Sequence, residues 1–365
     1  MENGIYIKIV IHFQYYMDKR ISGLDLLKII ATVMIIFHHY QQITGAWWGA
    51  SSFYGGLFYY GELVELFFII SGFIMYRYIE KIKFGLSFKK YCIHRFFRFI
   101  PLMAICVIVT TVFAHLYIIL YGEVFFNVDS FSLWTILISS LGIQEGWFAT
   151  NVGINNPAWY ISVLLLCYVI LYLLTFIAER LHISCNYLFG GMIFIGLGIQ
   201  YYGINYPLFN YLSSRGYVTF FLGLLLAYVV DKRAELINFQ ICLTIIIIIP
   251  FLIYKQYWLV LKDVKYIMIF IFYPALIFVF SSQFVSKIMH WSWINNLANI
   301  SFNAFMWHYP LLEIMYVVLK LFDFKFDLCT INAMIIFSVV CFGVGTLSYI
   351  LIEKPLNRVI NLKIN

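Results

Sequence analysis

Lys28 and His39 are the first residues of this chain whose types and spacing suggest chemistry. They stand eleven positions apart in the apolar run Leu24–Tyr40. At 100° per residue that is three turns plus about 20°, so both side chains share one helix face. At 1.5 Å rise they lie about 16 Å apart along the axis, around half the hydrocarbon thickness of a bilayer. A cation can hold an anionic group, and an imidazole exchanges a proton near neutral pH. Ionisable groups at such depth mark function by default. The competing reading is a lysine snorkelling to one interface and a histidine pair at the other. His38, about 100° around the helix, is the weaker candidate.

The next apolar run, Gly61–Arg77, carries Glu62 and Glu65. Glu65 lies twelve residues from Arg77, about 18 Å, at the depth of His39 above Lys28. Two readings stay open: Glu65 pairs with His39 and orients its ring, or Glu62 and Glu65 line a wet vestibule with no link to His39. Beyond Arg77 comes the densest basic stretch, with Lys81, Lys83, Lys89, Lys90, His94, Arg95 and Arg98 before Phe99-Ile100-Pro101. Such a cluster fixes topology and attracts anionic lipid, or its arginine forks hold phosphate while neighbouring rings stack a base.

These residues need helices in a membrane to position them. The 365-residue chain is 63% apolar and 11% charged, against about 45–50% and 25% for soluble domains. It is therefore read as an all-α, polytopic integral membrane protein. The net charge of +7 does not point to nucleic acid, because the cations sit between apolar runs. Seven scattered cysteines without a C-x-x-C argue against a disulfide framework or a zinc site.

Ten spans are expected: Leu24–Thr44, Leu57–Tyr78, Phe99–Leu120, Pro157–Ala178, Tyr187–Tyr202, Tyr217–Val230, Phe239–Ile253, Tyr266–Phe280, Ile300–Leu319 and Ile331–Ile352. Phe131–Ile143 is too short to span and is read as re-entrant or interfacial. With both termini cytoplasmic, most lysines and arginines fall on the inner side. Arg215, Lys255, Lys262, Lys265, Lys320 and Lys325 are left outside. The division is a cytoplasmic segment 1–23, one transmembrane domain 24–355 and a tail 356–365, with no room for an appended extracytoplasmic module.

Six motifs in order carry a resemblance to a known family. Leu24-Asp25-Leu26-Leu27-Lys28, ten residues and His39 resemble L-D-x-L-R followed by ten residues and a histidine. Phe67, Phe68, Ser71, Gly72 and Arg77 match F-F-x-x-S-G-x-x-x-x-R. Arg95, Phe96, Phe97, Arg98 and Pro101 match R-F-F-R-x-x-P. Phe220-Phe221-Leu222-Gly223 resembles F-F-x-x-G, Ile300–Pro310 resembles I-S-Y-x-x-Y-L-x-H-x-P, and Glu353-Lys354-Pro355 resembles a closing E-K-P. The chain thus resembles the acyltransferase-3 family of polytopic membrane enzymes that acylate glycans. Two departures stand out. Lys28 replaces arginine, keeping the charge but losing the fork. Trp159-Tyr160-Ile161-Ser162-Val163-Leu164-Leu165 lacks the carboxylates of W-S-L-S-V-E-E.

The resemblance implies a bacterial plasma-membrane enzyme with no tightly bound cofactor. Acetyl-coenzyme A would be co-substrate from the cytosol, and a hydroxyl of a cell-surface or lipid-linked glycan the acceptor. Arg77, Arg95 and Arg98, with Ser71 and Lys28, would hold the donor. His39 would act as base or as acyl carrier. Trp159, Ser162, Trp307 and His308 would face the acceptor, although Trp307, His308 and Glu313 fit equally as packing residues with satisfied polar tips. The alternative class is a flippase or carrier for a lipid-linked glycan. Oligomeric state, homo-oligomer or not, is left open.

Overall fold

Polar caps decide where the apolar runs begin to coil. Ser87 accepts the Lys90 N–H, and Thr330 accepts that of Ala333. Asn210 and Ser213 form a reciprocal capping box. Gly45 and Gly122, at φ of 72° and 75°, close two helices in the left-handed conformation that glycine adopts without strain. The computed structural model describes residues 20–58, 60–125, 131–148, 153–255, 264–356 and 358. Residues 1–19 of the expected N-terminal segment, 359–365 of the tail, and Lys262 lie outside the described residues.

The helices are α1 (Ser22–Thr44), α2 (Leu63–Met75), α3 (Tyr78–Lys83), α4 (Phe88–Tyr121) and α5 (Leu133–Leu141). They continue with α6 (Trp159–Leu181), α7 (Cys185–Tyr202), α8 (Tyr211–Lys232) and α9 (Phe239–Tyr254). Next come α10 (Val264–Phe280), which holds a π-turn, and α11 (Gln283–Ile288). The last are α12 (Ser292–Leu321) and α13 (Ile331–Ser348), which runs on through a π-turn to Glu353. The fold is all-α, with no strand among the described residues.

Helices stand at all ten expected positions. Among the described residues, five helices are long and apolar enough to cross a membrane: Ser22–Thr44, Phe88–Tyr121, Asn156–Leu181, Tyr211–Lys232 and Ile331–Leu356. The expected span Leu57–Tyr78 is shorter than its apolar run, because a 3-10 turn at Tyr60–Glu62 precedes α2 and the helix breaks before Tyr78. α5 is a nine-residue helix with Leu133 and Trp134 exposed and Thr135, Ile138 and Ser139 buried. It is too short to span.

Between helices in lipid there is little hydrophobic force, so close packing has to hold the bundle together. Here small residues let backbones touch. A methyl group added at Gly72 of α2 would land on the Phe220 carbonyl oxygen of α8, and one at Gly223 on that of Ile69. The two motif glycines are therefore the two sides of one helix crossing, wrapped by Phe68, Phe73, Val218 and Phe220, all fully buried. At the other flank, Asn303 of α12 donates to Glu353 at 2.6 Å and accepts from Ser348 at 3.0 Å. That bond joins the Ile300–Pro310 motif to the Glu353-Lys354-Pro355 motif.

Because backbone cannot move aside as a side chain can, Gly223→Ala should lose about 1–3 kcal/mol or more. The check is the thermal midpoint of detergent-solubilised protein. An unchanged midpoint would mean that the α2–α8 crossing is looser than described.

Candidate functional site

His39 sits where α1 meets α12. Its Nδ1 lies 2.9 Å from Nε2 of His308, with the rings stacked at 21° and 5.0 Å between centroids. His308 Nδ1 in turn bonds the Phe305 carbonyl. A carbonyl only accepts, so His308 carries its proton on Nδ1 and, as a neutral ring, presents a bare Nε2. That nitrogen accepts from His39 Nδ1–H. His39 is thereby fixed in the tautomer that leaves its Nε2 lone pair unspent.

Pro310 contributes to this local geometry. It has no N–H for the Met306 carbonyl one turn earlier, and Asn155 Nδ2 donates there instead at 3.1 Å.

His39 opens on a cavity of about 310 Å³ lined also by His38, Gln42, Glu62, Trp159, Tyr211 and Arg215. The Glu65–His39 pair of the first reading is not formed. Arg215 Nε and Nη2 donate to the two Glu65 carboxylate oxygens at 2.6 and 2.9 Å. The guanidinium also lies 4.5 Å over the Trp159 ring. A fully buried carboxylate takes a bidentate fork in preference to a neutral ring, because only a full charge offsets its desolvation. Arg215, read in sequence as a loop cation, is this partner. His38 faces the same cavity as His39, contrary to the simple helical angle. Its Nδ1 donates to the Phe53 carbonyl at 2.9 Å, and the ring is drawn against Gly61.

A second cavity, of about 170 Å³, lies at the basic end of α1. It is lined by Lys28, Ser71, Arg77, Arg95, Arg98 and Tyr160, among others. Lys28 reaches Asp25 at 3.2 Å. Arg95 stacks 4.0 Å over Tyr78, and Ser71 bonds the Tyr160 hydroxyl at 3.2 Å. Arg77 Nε and Arg95 Nε and Nη2 are buried with no hydrogen-bond partner. Buried donors of this kind normally have acceptors. Together with Lys28 and Arg98 they give this cavity a wall of cationic donors that suits an anion with several oxygens. Lys28 and His39 belong to the two cavities, in line along one face of α1. Phe305 lines both.

The remaining expected residues are placed elsewhere. Ser162 is fully buried and donates to the Glu145 carbonyl at 2.8 Å, while its own carbonyl accepts Trp147 Nε1. Its hydroxyl is spent on a loop, so it does not line the far cavity. Trp307 packs against the main apolar cluster and lines neither cavity. His308 is fully buried behind His39 and orients that ring without lining the cavity itself. Glu313 is likewise buried and lines neither cavity. Phe305 and Tyr160 lie within the quoted motif stretches but were not read as site residues, since an aromatic on an apolar helix reads as packing.

An all-α fold with helices apolar enough to cross a membrane thus holds an oriented histidine at one cavity and a basic cluster at another. The family is specific: residues 21–353 match the acyltransferase domain model of the acyltransferase-3 family, so the chain belongs to that family and is a membrane acyltransferase. No curated protein and no solved structure matches the chain.

Two outcomes follow. His308→Ala should cut acyl transfer at least about tenfold, as loss of an orienting partner usually does, and His308→Gln, whose carbonyl can still accept from His39, should restore part of it. Equal activity of all three proteins in expression-matched membranes would contradict the hydrogen-bonded chain. Glu65→Ala should cost about 3–5 kcal/mol by stranding the Arg215 charge. Adding Arg215→Met should recover most of the lost thermal midpoint, and a double variant no more stable than the single would oppose the pairing.

Proposed function

We propose that the protein transfers an acetyl group from cytosolic acetyl-coenzyme A to a hydroxyl of a cell-surface or lipid-linked glycan. One observation carries the reading: a cavity with unpartnered buried guanidinium donors and the free Nε2 of His39 are set along one face of α1, with Phe305 alone, among the described residues, common to both chambers. In this reading the chain crosses the membrane ten times with both termini in the cytosol, and the basic end faces that side, where the donor is made. The enzyme sits in the bacterial plasma membrane.

In this reading Arg77, Arg95 and Arg98 bind the phosphates of coenzyme A, with Tyr78 and Tyr168 stacked on Arg95 to hold its plane. Lys28 adds charge at the cavity wall. The pantetheine arm extends along α1, over the roughly 16 Å that separates Lys28 from His39. A sugar hydroxyl enters the far cavity against Trp159, whose apolar face suits the carbon side of a pyranose. His39 Nε2 takes the hydroxyl proton as the oxygen attacks the thioester carbonyl. The new C–O bond forms, the C–S bond breaks, and the imidazolium returns its proton to the leaving sulfur, releasing coenzyme A as the thiol. His308 steadies the charge on His39 through the shared hydrogen bond.

A carrier that only moves a lipid-linked glycan would need no unpartnered guanidinium pocket at the opposite end from its polar cavity. The deciding experiment measures base-labile acetyl on cell-surface glycan together with acetyl-coenzyme A binding. His39→Ala should lower transfer by about 10²–10⁴-fold with donor binding intact. Arg95→Ala should weaken donor binding and make what remains less salt-sensitive, because fewer charge contacts are left for salt to screen. Transfer at the wild-type level in His39→Ala would end the histidine mechanism. Unchanged donor affinity in Arg95→Ala would leave the basic cavity without its anion.

A further inference from the structure

Phe305 is the one residue common to the linings of the basic and the far cavity among the described residues. Its ring is 4% exposed and stands edge-on to Phe67 at 6.1 Å and Tyr160 at 5.9 Å, both on the basic side. On the opposite side it lies 5.4 Å from the His308 ring. Phe67 and Phe68 flank Tyr160, at 5.7 and 4.6 Å, and Ser71 holds its hydroxyl. These rings form an aromatic partition across the line from Lys28 to His39. The same residue's carbonyl receives His308 Nδ1–H. Its backbone thus sets the tautomer chain while its side chain divides the chambers.

In the acyl-transfer reading, an acyl group moving from the basic cavity to His39 meets the one wall that the two cavities share among the described residues. A rigid aromatic wall discriminates by size, because each added methylene must displace packed atoms. We propose that Phe305 is the specificity-determining residue for the acyl group: its ring admits an acetyl-sized thioester to His39, turns back longer chains, and keeps water in the far cavity from the waiting thioester. The inference rests on the acyl-transfer reading above.

The test uses the full-length protein in native membranes, with acetyl-, propionyl- and butyryl-coenzyme A as labelled probes. Two quantities are read: label in the base-labile fraction of the cell's own glycan, and free acid from hydrolysis. In Phe305→Ala and the milder Phe305→Leu, the butyryl-to-acetyl transfer ratio should rise by about tenfold or more, the usual worth of a methylene or two in an apolar pocket. Hydrolysis without transfer should rise with it. Phe305→Trp should lower acetyl transfer while acetyl-coenzyme A still binds.

An unchanged ratio in both smaller variants would overturn the role of Phe305, provided that wild-type transfer still depends on His39. If His39→Ala transfers as well as wild type, the acyl-transfer reading falls, and this proposal with it.

Discussion

A polar ring inside an apolar helix bundle has to find a partner for each nitrogen it buries. The His39–His308–Phe305 chain meets that demand while spending only one nitrogen of His39. Had a carboxylate filled this role, which one reading of the sequence assigns to Glu65, the membrane interior would have gained an unbalanced charge. A second neutral imidazole orients the ring without that charge. The carbonyl of Phe305 fixes which way the protons point. In the same turn of α12, Pro310 leaves the Met306 carbonyl without its helical donor, and Asn155 takes it up.

The charges elsewhere follow a consistent division. Glu65 and Arg215 are locked to one another, and their register has a physical origin. α2 and α8 run side by side in the same direction, touching at Gly72 and Gly223. Counting back about two turns from each glycine reaches Glu65 and Arg215 at one level. The same alignment brings Tyr76 to Asp231 at the opposite end. By contrast, Arg77 and Arg95 keep buried donors unpartnered. Glu313 is also buried without a hydrogen-bond partner, but it lines neither cavity, whereas the unpartnered Arg77 and Arg95 donors lie at the wall of the basic one.

The common face of Lys28 and His39 was legible because helical period alone determines it. The helix positions were legible because apolar runs and capping residues mark them. The order of the motifs was legible too, but their meaning was partly structural. Gly72 and Gly223 meet each other, and Asn303 meets Glu353. The partner of Glu65 was not readable, since Arg215 lies 150 residues away and sits one turn inside a helix whose start looked like loop. His38 was misjudged because a hydrogen bond to Phe53 redirects its ring, which no count of residues per turn reveals. Ser162 and Trp307 looked like site residues from motif position alone, and their neighbours engage them in packing and loop contacts.

The central claim is that the acyl group crosses the bundle from the basic cavity to an acceptor at the far one. Sealed membrane vesicles of opposite orientation test it most directly. Labelled acetyl-coenzyme A, which does not cross the bilayer, is supplied only to the outside of each. Inverted vesicles expose the cytosolic face, to which the proposal assigns the basic end, and should place label on glycan enclosed in their lumen in a His39-dependent manner. Right-side-out vesicles should remain unlabelled. Equal labelling of right-side-out vesicles would contradict transfer across the bundle.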